Sequence, residues 1–197
     1  MSEHEEPSQE GRDSGQTRRE IVVYSYYRDA ELRGSNLLYR LLRLVDDSDT
    51  QINLTHQLAD ETRHAWLWTE RIRELGGVPL PIDDGYQVRI GKHVGVPRDV
   101  VDLLALTVVV EQRSLRRYRA HLRRPDVPAR TQAVLRAVTQ DETWHVDWIR
   151  RKARELAARE GRRSRVDEAL RRYREVDRRV MAELAQVEQA LAGESSA

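Results

Sequence analysis

Two pentapeptides, Asp60-Glu61-Thr62-Arg63-His64 and Asp141-Glu142-Thr143-Trp144-His145, differ at a single position. Each Glu-x-x-His puts a carboxylate and an imidazole on neighbouring points of one helical face, because a helix turns once in about 3.6 residues. A glutamate precedes each motif at nearly the same distance, Glu31 by thirty residues and Glu111 by thirty-one. The chain therefore reads as a duplicated helical hairpin, each copy bringing one lone glutamate and one Glu-x-x-His.

Apolar residues recur at helical spacing around these positions. A first helix is expected over about residues 20–45, with Tyr24, Tyr27, Leu38, Leu41 and Val45 along one stripe. Asp46-Asp47-Ser48-Asp49 stops it and offers an N-cap for a second, about residues 50–75. That helix turns Leu54, Leu58, Ala65, Trp68 and Ile72 inward and ends at Gly76-Gly77. A third begins near Arg98, after Pro97, with Leu104, Val108, Leu115 and Tyr118 on one face; a fourth follows the break Arg124-Pro125-Asp126-Val127-Pro128 and carries Leu135, Val138 and Ile149. A fifth, amphipathic helix is expected over about residues 165–191, with Val166, Leu170, Tyr173, Val176, Val180 and Leu184 on its stripe. Two links are short, which makes antiparallel hairpins. The link over residues 76–97, broken by prolines and glycines, is far longer and can run the length of a bundle. With 197 residues, 39% of them hydrophobic, one domain is expected. Its parts are a disordered tail at 1–19, a bundle over 20–162, a C-terminal amphipathic helix over 163–192 and a disordered end at 193–197.

In each hairpin the lone glutamate stands about as far before the turn as its partner motif stands after it, so all four sets fall at one depth. Glu31, Glu61 and Glu142 lie on the stripes assigned to the core, and Glu111 directly follows Leu106-Thr107-Val108-Val109-Val110. A buried, unpaired carboxylate is strongly unfavourable. Four carboxylates around two divalent ions are formally neutral, and two Glu-x-x-His pairs with one glutamate from each remaining helix form the ligand set of di-iron and di-manganese bundles. The candidate metal ligands are thus Glu31, Glu61, His64, Glu111, Glu142 and His145. The chain has no cysteine, which excludes iron-sulfur clusters, thiolate zinc sites and a rubredoxin-like module.

These residues carry a resemblance. The stretch from Asp60 to Leu75, with His64-Ala65 and Glu70-Arg71-Ile72, resembles the second helix of bacterioferritins, and Asp141 to Ile149 is similar to their fourth. Rubrerythrins, di-iron oxygenases and the ribonucleotide reductase small subunit share the pattern more loosely. The resemblance covers about Tyr24 to Ala153. It implies an all-α, ferritin-like four-helix bundle with one long crossover, to which this chain adds an extra C-terminal helix. It further implies two iron ions, or manganese with iron, bridged by Glu61 and Glu142, with Glu31 and Glu111 terminal and one histidine on each ion. Asp60 and Asp141 stand where relatives place a carboxylate that accepts the free imidazole N–H of the opposite motif. Bacterioferritin's haem-ligating methionine would follow the first motif glutamate, where this chain has Thr62, so no haem is expected. Ser114 stands where rubrerythrin has a further glutamate. The long last helix departs from cage-forming ferritins.

The resemblance implies an oxidoreductase that activates dioxygen or peroxide to oxidise a small molecule, with an external electron donor left open. The alternatives are iron oxidation for storage or detoxification, and a non-enzymatic helical interaction module with structural metals. Gly34, Ser35, Thr107 and Ser114 cluster small side chains beside the ligands, with Tyr27 nearby; they either leave a substrate pocket or let the first helix pack tightly on the third. Tyr24 and Tyr27 carry a radical or electron path, or are core. His56, His93 and His121 lie off the ligand stripe and are expected at the surface. A net charge of +1 and arginines interleaved with acids disfavour nucleic acid as a partner. No apolar run approaches the roughly 20 residues of a membrane span, so no membrane partner is expected and a cytoplasmic location is. The stripe of the last helix fits packing on its own bundle or formation of a homodimer.

Overall fold

The structure is a computed structural model that describes residues 14–95, 97, 99–161 and 163–194, with side chains as far as residue 186. Among the described residues there are six helices and no strand: α1 (Ser14–Leu42), α2 (Ser48–Glu74), α3 (Tyr86–Val94), α4 (Val100–Leu122), α5 (Ala129–Arg159) and α6 (Arg163–Glu194). Aspartates start two of them. Asp47 accepts the Thr50 backbone N–H at 3.2 Å and Asp99 accepts that of Asp102 at 3.1 Å, which satisfies donors that the first turn leaves without a carbonyl. Gly76 after α2 and Gly161 between α5 and α6 take φ of 75° and 68°, backbone that a Cβ disfavours.

The all-helical class agrees with the sequence reading, and several boundaries do not. Helix α1 begins at Ser14 and ends at Leu42, so residues 14–19 are helical instead of tail and Val45 lies in the turn. Residues 1–13 of the expected N-terminal tail and 195–197 of the C-terminal one lie outside the described residues, while 193 and 194 close α6. The long crossover contains a helix, α3, that periodicity does not reveal, because Ile90 is its one fully buried side chain. Tertiary contacts hold it: Tyr86 donates to Asp177 of α6 at 2.7 Å, and His93 Nε2 lies 2.9 Å from Glu183. The crossover is also tied to α1, where Ser25 Oγ accepts the Leu80 N–H at 3.0 Å and Arg33 donates to the Ile82 carbonyl at 3.1 Å.

Helices α1 and α2 pack as one hairpin, α4 and α5 as another, and the two meet through α2 with α5 and α1 with α4. Helix α6 lies against α3, α4 and α5, and Val166, Ala169, Leu170, Tyr173 and Val180 are buried in the same cluster as Leu104 and Ile149. From Val166 to Val180 its stripe is thus covered by its own chain.

The core is divided. One cluster holds Leu38, Leu41, Leu54, Leu103, Leu106, Trp148 and Ile149; the other holds Tyr24, Tyr27, Trp68, Ile72, Tyr118, Leu135 and Val138. On each of α1, α2, α4 and α5 the six candidate ligands fall between residues of the two clusters, so they form a polar layer across the bundle. No helix among the described residues is long and apolar enough to cross a membrane.

Leu170 is 3% exposed. Leu170→Ala should lower the unfolding free energy by about 2–5 kcal/mol, the range for emptying a packed leucine site. A urea titration reads this, and a change below about 0.5 kcal/mol would mean that α6 does not dock as described.

Candidate metal centre

Glu31 comes from α1, Glu61 and His64 from α2, Glu111 from α4, and Glu142 and His145 from α5, and all six are buried. Their ligand atoms form two groups. In one, Glu31, Glu61, His64 and Glu142 each offer an atom within 4.8 Å of the others; in the second, Glu61, Glu111, Glu142 and His145 do the same. Glu61 and Glu142 belong to both, the position a carboxylate must occupy to span two ions.

The imidazoles are held from behind and across the duplication. His64 Nε2 lies 3.0 Å from Asp141 Oδ2, and His145 Nε2 lies 3.3 Å from Asp60 Oδ2. An ionised carboxylate only accepts, so each Nε2 points a hydrogen at its aspartate and each Nδ1 faces the centre. His64 Nδ1 stands 3.6 Å from Glu31 and 3.5 Å from Glu142; His145 Nδ1 stands 3.3 Å from Glu61 and 3.4 Å from Glu142. These are ionic contacts, too long or misaligned for good hydrogen bonds. Accordingly Glu61 Oε1, both oxygens of Glu142 and both Nδ1 atoms are buried without a hydrogen-bond partner among the described residues. Orphaned atoms of this kind are costly. Oxygen and nitrogen donors around a shared pair of carboxylates suit first-row divalent ions, so the residues fit a two-metal site.

Three further side chains complete the centre. Tyr118 donates to Glu31 Oε1. Gln57 donates to Glu111 at 2.7 Å and accepts the Trp148 indole N–H at 3.0 Å, so its amide is locked in one orientation. Arg63 reaches both Asp60 and Asp141. Sequence reasoning did not single these out. The available signal was register: Gln57 precedes Glu61 by one turn and Tyr118 follows Glu111 by two, which puts each on a ligand-bearing face. Arg63 is the one position at which the two pentapeptides differ.

Gly34 has a direct reason. A Cβ there would stand 2.8 Å from Glu61 Oε2, so the bare backbone makes room for the shared carboxylate. Ser35 donates to the Glu31 carbonyl and Thr107 to that of Leu103, each at 2.9 Å, and Ser114 is half-buried. Tyr27 is buried against Trp68 and Tyr118, its ring centroid 4.9 Å from each. Gly34, Ser35, Thr107 and Tyr27 are buried, and a cleft between α1, α3 and α4 is lined by Arg33, Leu37, Arg40, Ile90, Leu106 and Val110. His56 and His93 are exposed as expected. His121 differs: it is half-buried, with Nδ1 3.0 Å from Tyr27 Oη.

Electrostatics follow from burial. It pushes the Glu61 and Glu111 carboxyls well above the usual range, and neighbouring acids add to this, Glu142 and Glu31 for Glu61, Glu61 and Glu142 for Glu111. Burial also opposes ionisation of Glu142, but His145 and His64 outweigh it and bring that group down to about 2. Burial works against imidazolium at His64, yet Glu142 and Glu31 pull its pKa up to about 12; His145 is raised by Glu142, Glu111 and Asp60 against the same burial.

No protein-family model matches this chain, and no curated protein does either.

Gly34→Ala should leave the metal-free fold within about 1 kcal/mol of the parent, since alanine favours a helix, and should weaken metal binding about 10- to 100-fold by displacing Glu61. Parallel melting curves and metal titrations measure both; unchanged affinity would remove Glu61 from the site. Because the raised carboxyls and imidazoles hold protons at neutral pH, metal loading must expel them, and apparent affinity falls as pH falls. Calorimetry in buffers of different ionisation enthalpy reads the released protons, and heats that do not depend on buffer would contradict this electrostatic picture.

Proposed function

We propose that this chain is a ferritin-like di-iron carboxylate protein, manganese being able to replace one iron, that acts as an oxidoreductase on a small molecule with dioxygen or peroxide as oxidant. One observation carries the reading: two four-residue ligand groups share Glu61 and Glu142 in a buried layer whose inward donor atoms lack other partners. When bound, the iron pair would supply the electrons that reduce the oxidant.

The chain's own residues supply the rest. Asp60 and Asp141 hold a proton on each Nε2, which fixes ring orientation and leaves Nδ1 as the atom that would meet a metal once its own proton is expelled. Gln57 holds Glu111 in one rotamer, and Tyr118 offers a phenolic proton at Glu31. Burial beside the Glu31 charge raises the Tyr118 pKa well above its usual value, so the proton stays on the phenol at neutral pH. The apolar clusters on either side exclude water from the layer. Oxidation chemistry is favoured over a purely structural role by the aromatic neighbourhood: Tyr118 contacts Tyr27 and Trp68, and Trp68 in turn stacks on Tyr24.

Protein purified without added iron should carry two transition-metal ions per chain. Glu142→Ala should lose both, and Glu111→Ala should keep about one. After anaerobic ferrous loading, mixing with oxygen should consume it. A chain that takes up no metal sinks the whole reading, and one that binds two ions but consumes no oxygen leaves only a structural centre. Ferric mineral accumulating in a hollow multi-subunit particle on gel filtration would instead assign iron storage.

A further inference from the structure

Gly91 stands inside α3 with no packing reason to be a glycine. Within a helix glycine is unfavourable relative to alanine, because it orders more backbone and fills no space. At Gly34 the Glu61 carboxylate explains it, whereas a Cβ at Gly91 would meet nothing within 4 Å. The missing side chain opens onto the cleft between α1, α3 and α4, whose volume is about 220 Å³. None of the six candidate metal ligands lines that cleft. Its walls divide by chemistry. Leu37 of α1, Ile90 of α3 and Leu106 and Val110 of α4 form an aliphatic floor. Leu106 and Val110 keep 5% and 6% exposure where Leu104, Ala105, Val108 and Val109 have 1% or less, so the cleft reaches down to the core side of α4. The rim carries one sign of charge, with Arg33, Arg40, Asn36 and Gln87 and no acid among the described lining residues. Arg33 is committed to Asp29 at 2.7 Å and to the Ile82 carbonyl at 3.1 Å. Arg40 is exposed and forms no ion pair among the described residues. Gln87 Oε1 is buried without a hydrogen-bond partner among them, so nothing there fixes that end of the amide.

We propose that this cleft binds an apolar monocarboxylate of about eight to ten non-hydrogen atoms, its carboxylate on Arg40 and its tail on the aliphatic floor. The size follows from the volume, since a cavity of about 150 Å³ admits benzene. The charge follows from the rim. One uncommitted guanidinium matches one carboxylate, which it grips through two parallel N–H bonds. Gln87 adds a further donor, because an amide that no bond fixes turns its NH2 group toward an anion. A neutral hydrocarbon would leave both groups unanswered, and a cation would face two guanidiniums. The floor removes the tail from water, and the space that Gly91 leaves gives the tail its room.

Octanoate is the probe, titrated by calorimetry into the protein as purified. Saturable binding is expected with a dissociation constant below about 1 mM, and octanamide, equal in shape but uncharged, should bind at least about 10-fold more weakly. Arg40→Glu changes an exposed, unpaired side chain and should weaken octanoate at least about 10-fold. Gly91→Ala should raise the melting temperature by about 2–4 °C, because its Cβ enters open space, and Gly91→Phe should abolish binding by filling the cleft. Absence of saturable binding below about 1 mM would overturn the proposal. So would octanamide binding as well as octanoate, which would leave only an apolar groove. Octanoate binding that survives both Arg40→Glu and Gly91→Phe would place the carboxylate elsewhere, the metal layer included, and a Gly91→Ala variant that melts lower would mean that the space is not open; either result overturns it too. If Gly91→Phe does not fold, Arg40→Glu and octanamide decide. Every readout is a heat or a melting curve, so failure of the proposed oxidation chemistry would leave this site standing.

Discussion

Four carboxylates occupy one buried layer of this bundle, and the apolar clusters on either side of it offer nothing that can balance their charge. Coulomb repulsion between such groups is far stronger in a low-dielectric interior than in water. The structure meets the problem with two imidazoles held at the correct angle by Asp60 and Asp141, and with burial that keeps protons on Glu61 and Glu111. Divalent cations would meet it more completely, since they satisfy charge and the orphaned donor atoms together. The rest of the fold arranges itself around this layer, with helices that carry apolar stripes above and below their ligands and a bare Gly34 where the Glu61 carboxylate passes.

The two halves are not equivalent where it counts. Shifting Gln57 by the offset that relates Glu61 to Glu142 reaches Val138, and shifting Tyr118 back by the offset that relates Glu111 to Glu31 reaches Leu38. Both counterparts are apolar core residues. The outer carboxylates therefore have different companions, a phenol at Glu31 and a fixed amide at Glu111. The pentapeptide difference adds to this. Arg63 ties the two aspartates together on one side, whereas Trp144 meets His145 and His56 edge-on and Trp148 at a tilt on the other.

The six clustered acids and histidines were legible in the sequence because three-residue spacing, repeated twice with matched upstream glutamates, is a strong local pattern. The main helices were legible for the same reason, their stripes being long and regular. Helix α3 was not, because one buried side chain gives no period and its stability comes from Asp177 and Glu183, about ninety residues away. Gln57, Tyr118 and His121 had visible positions but no visible partners, since each contact joins different helices. The reason for Gly34 was equally hidden. A glycine in a helix signals that something comes close, and only the tertiary structure says that it is the Glu61 carboxylate of the neighbouring helix.

Each four-residue ligand group borrows from the far half of the chain: Glu142 completes the group of Glu31, Glu61 and His64, and Glu61 completes that of Glu111, Glu142 and His145. The aspartates that steady the rings are exchanged in the same way. A nascent chain emerging from the ribosome therefore owns no finished cage until synthesis has passed His145 and the second hairpin has closed on the first. Any ion the layer takes up could not template early folding; it would be captured only by molecules that have already assembled, and its retention would act as a quality check on the completed bundle.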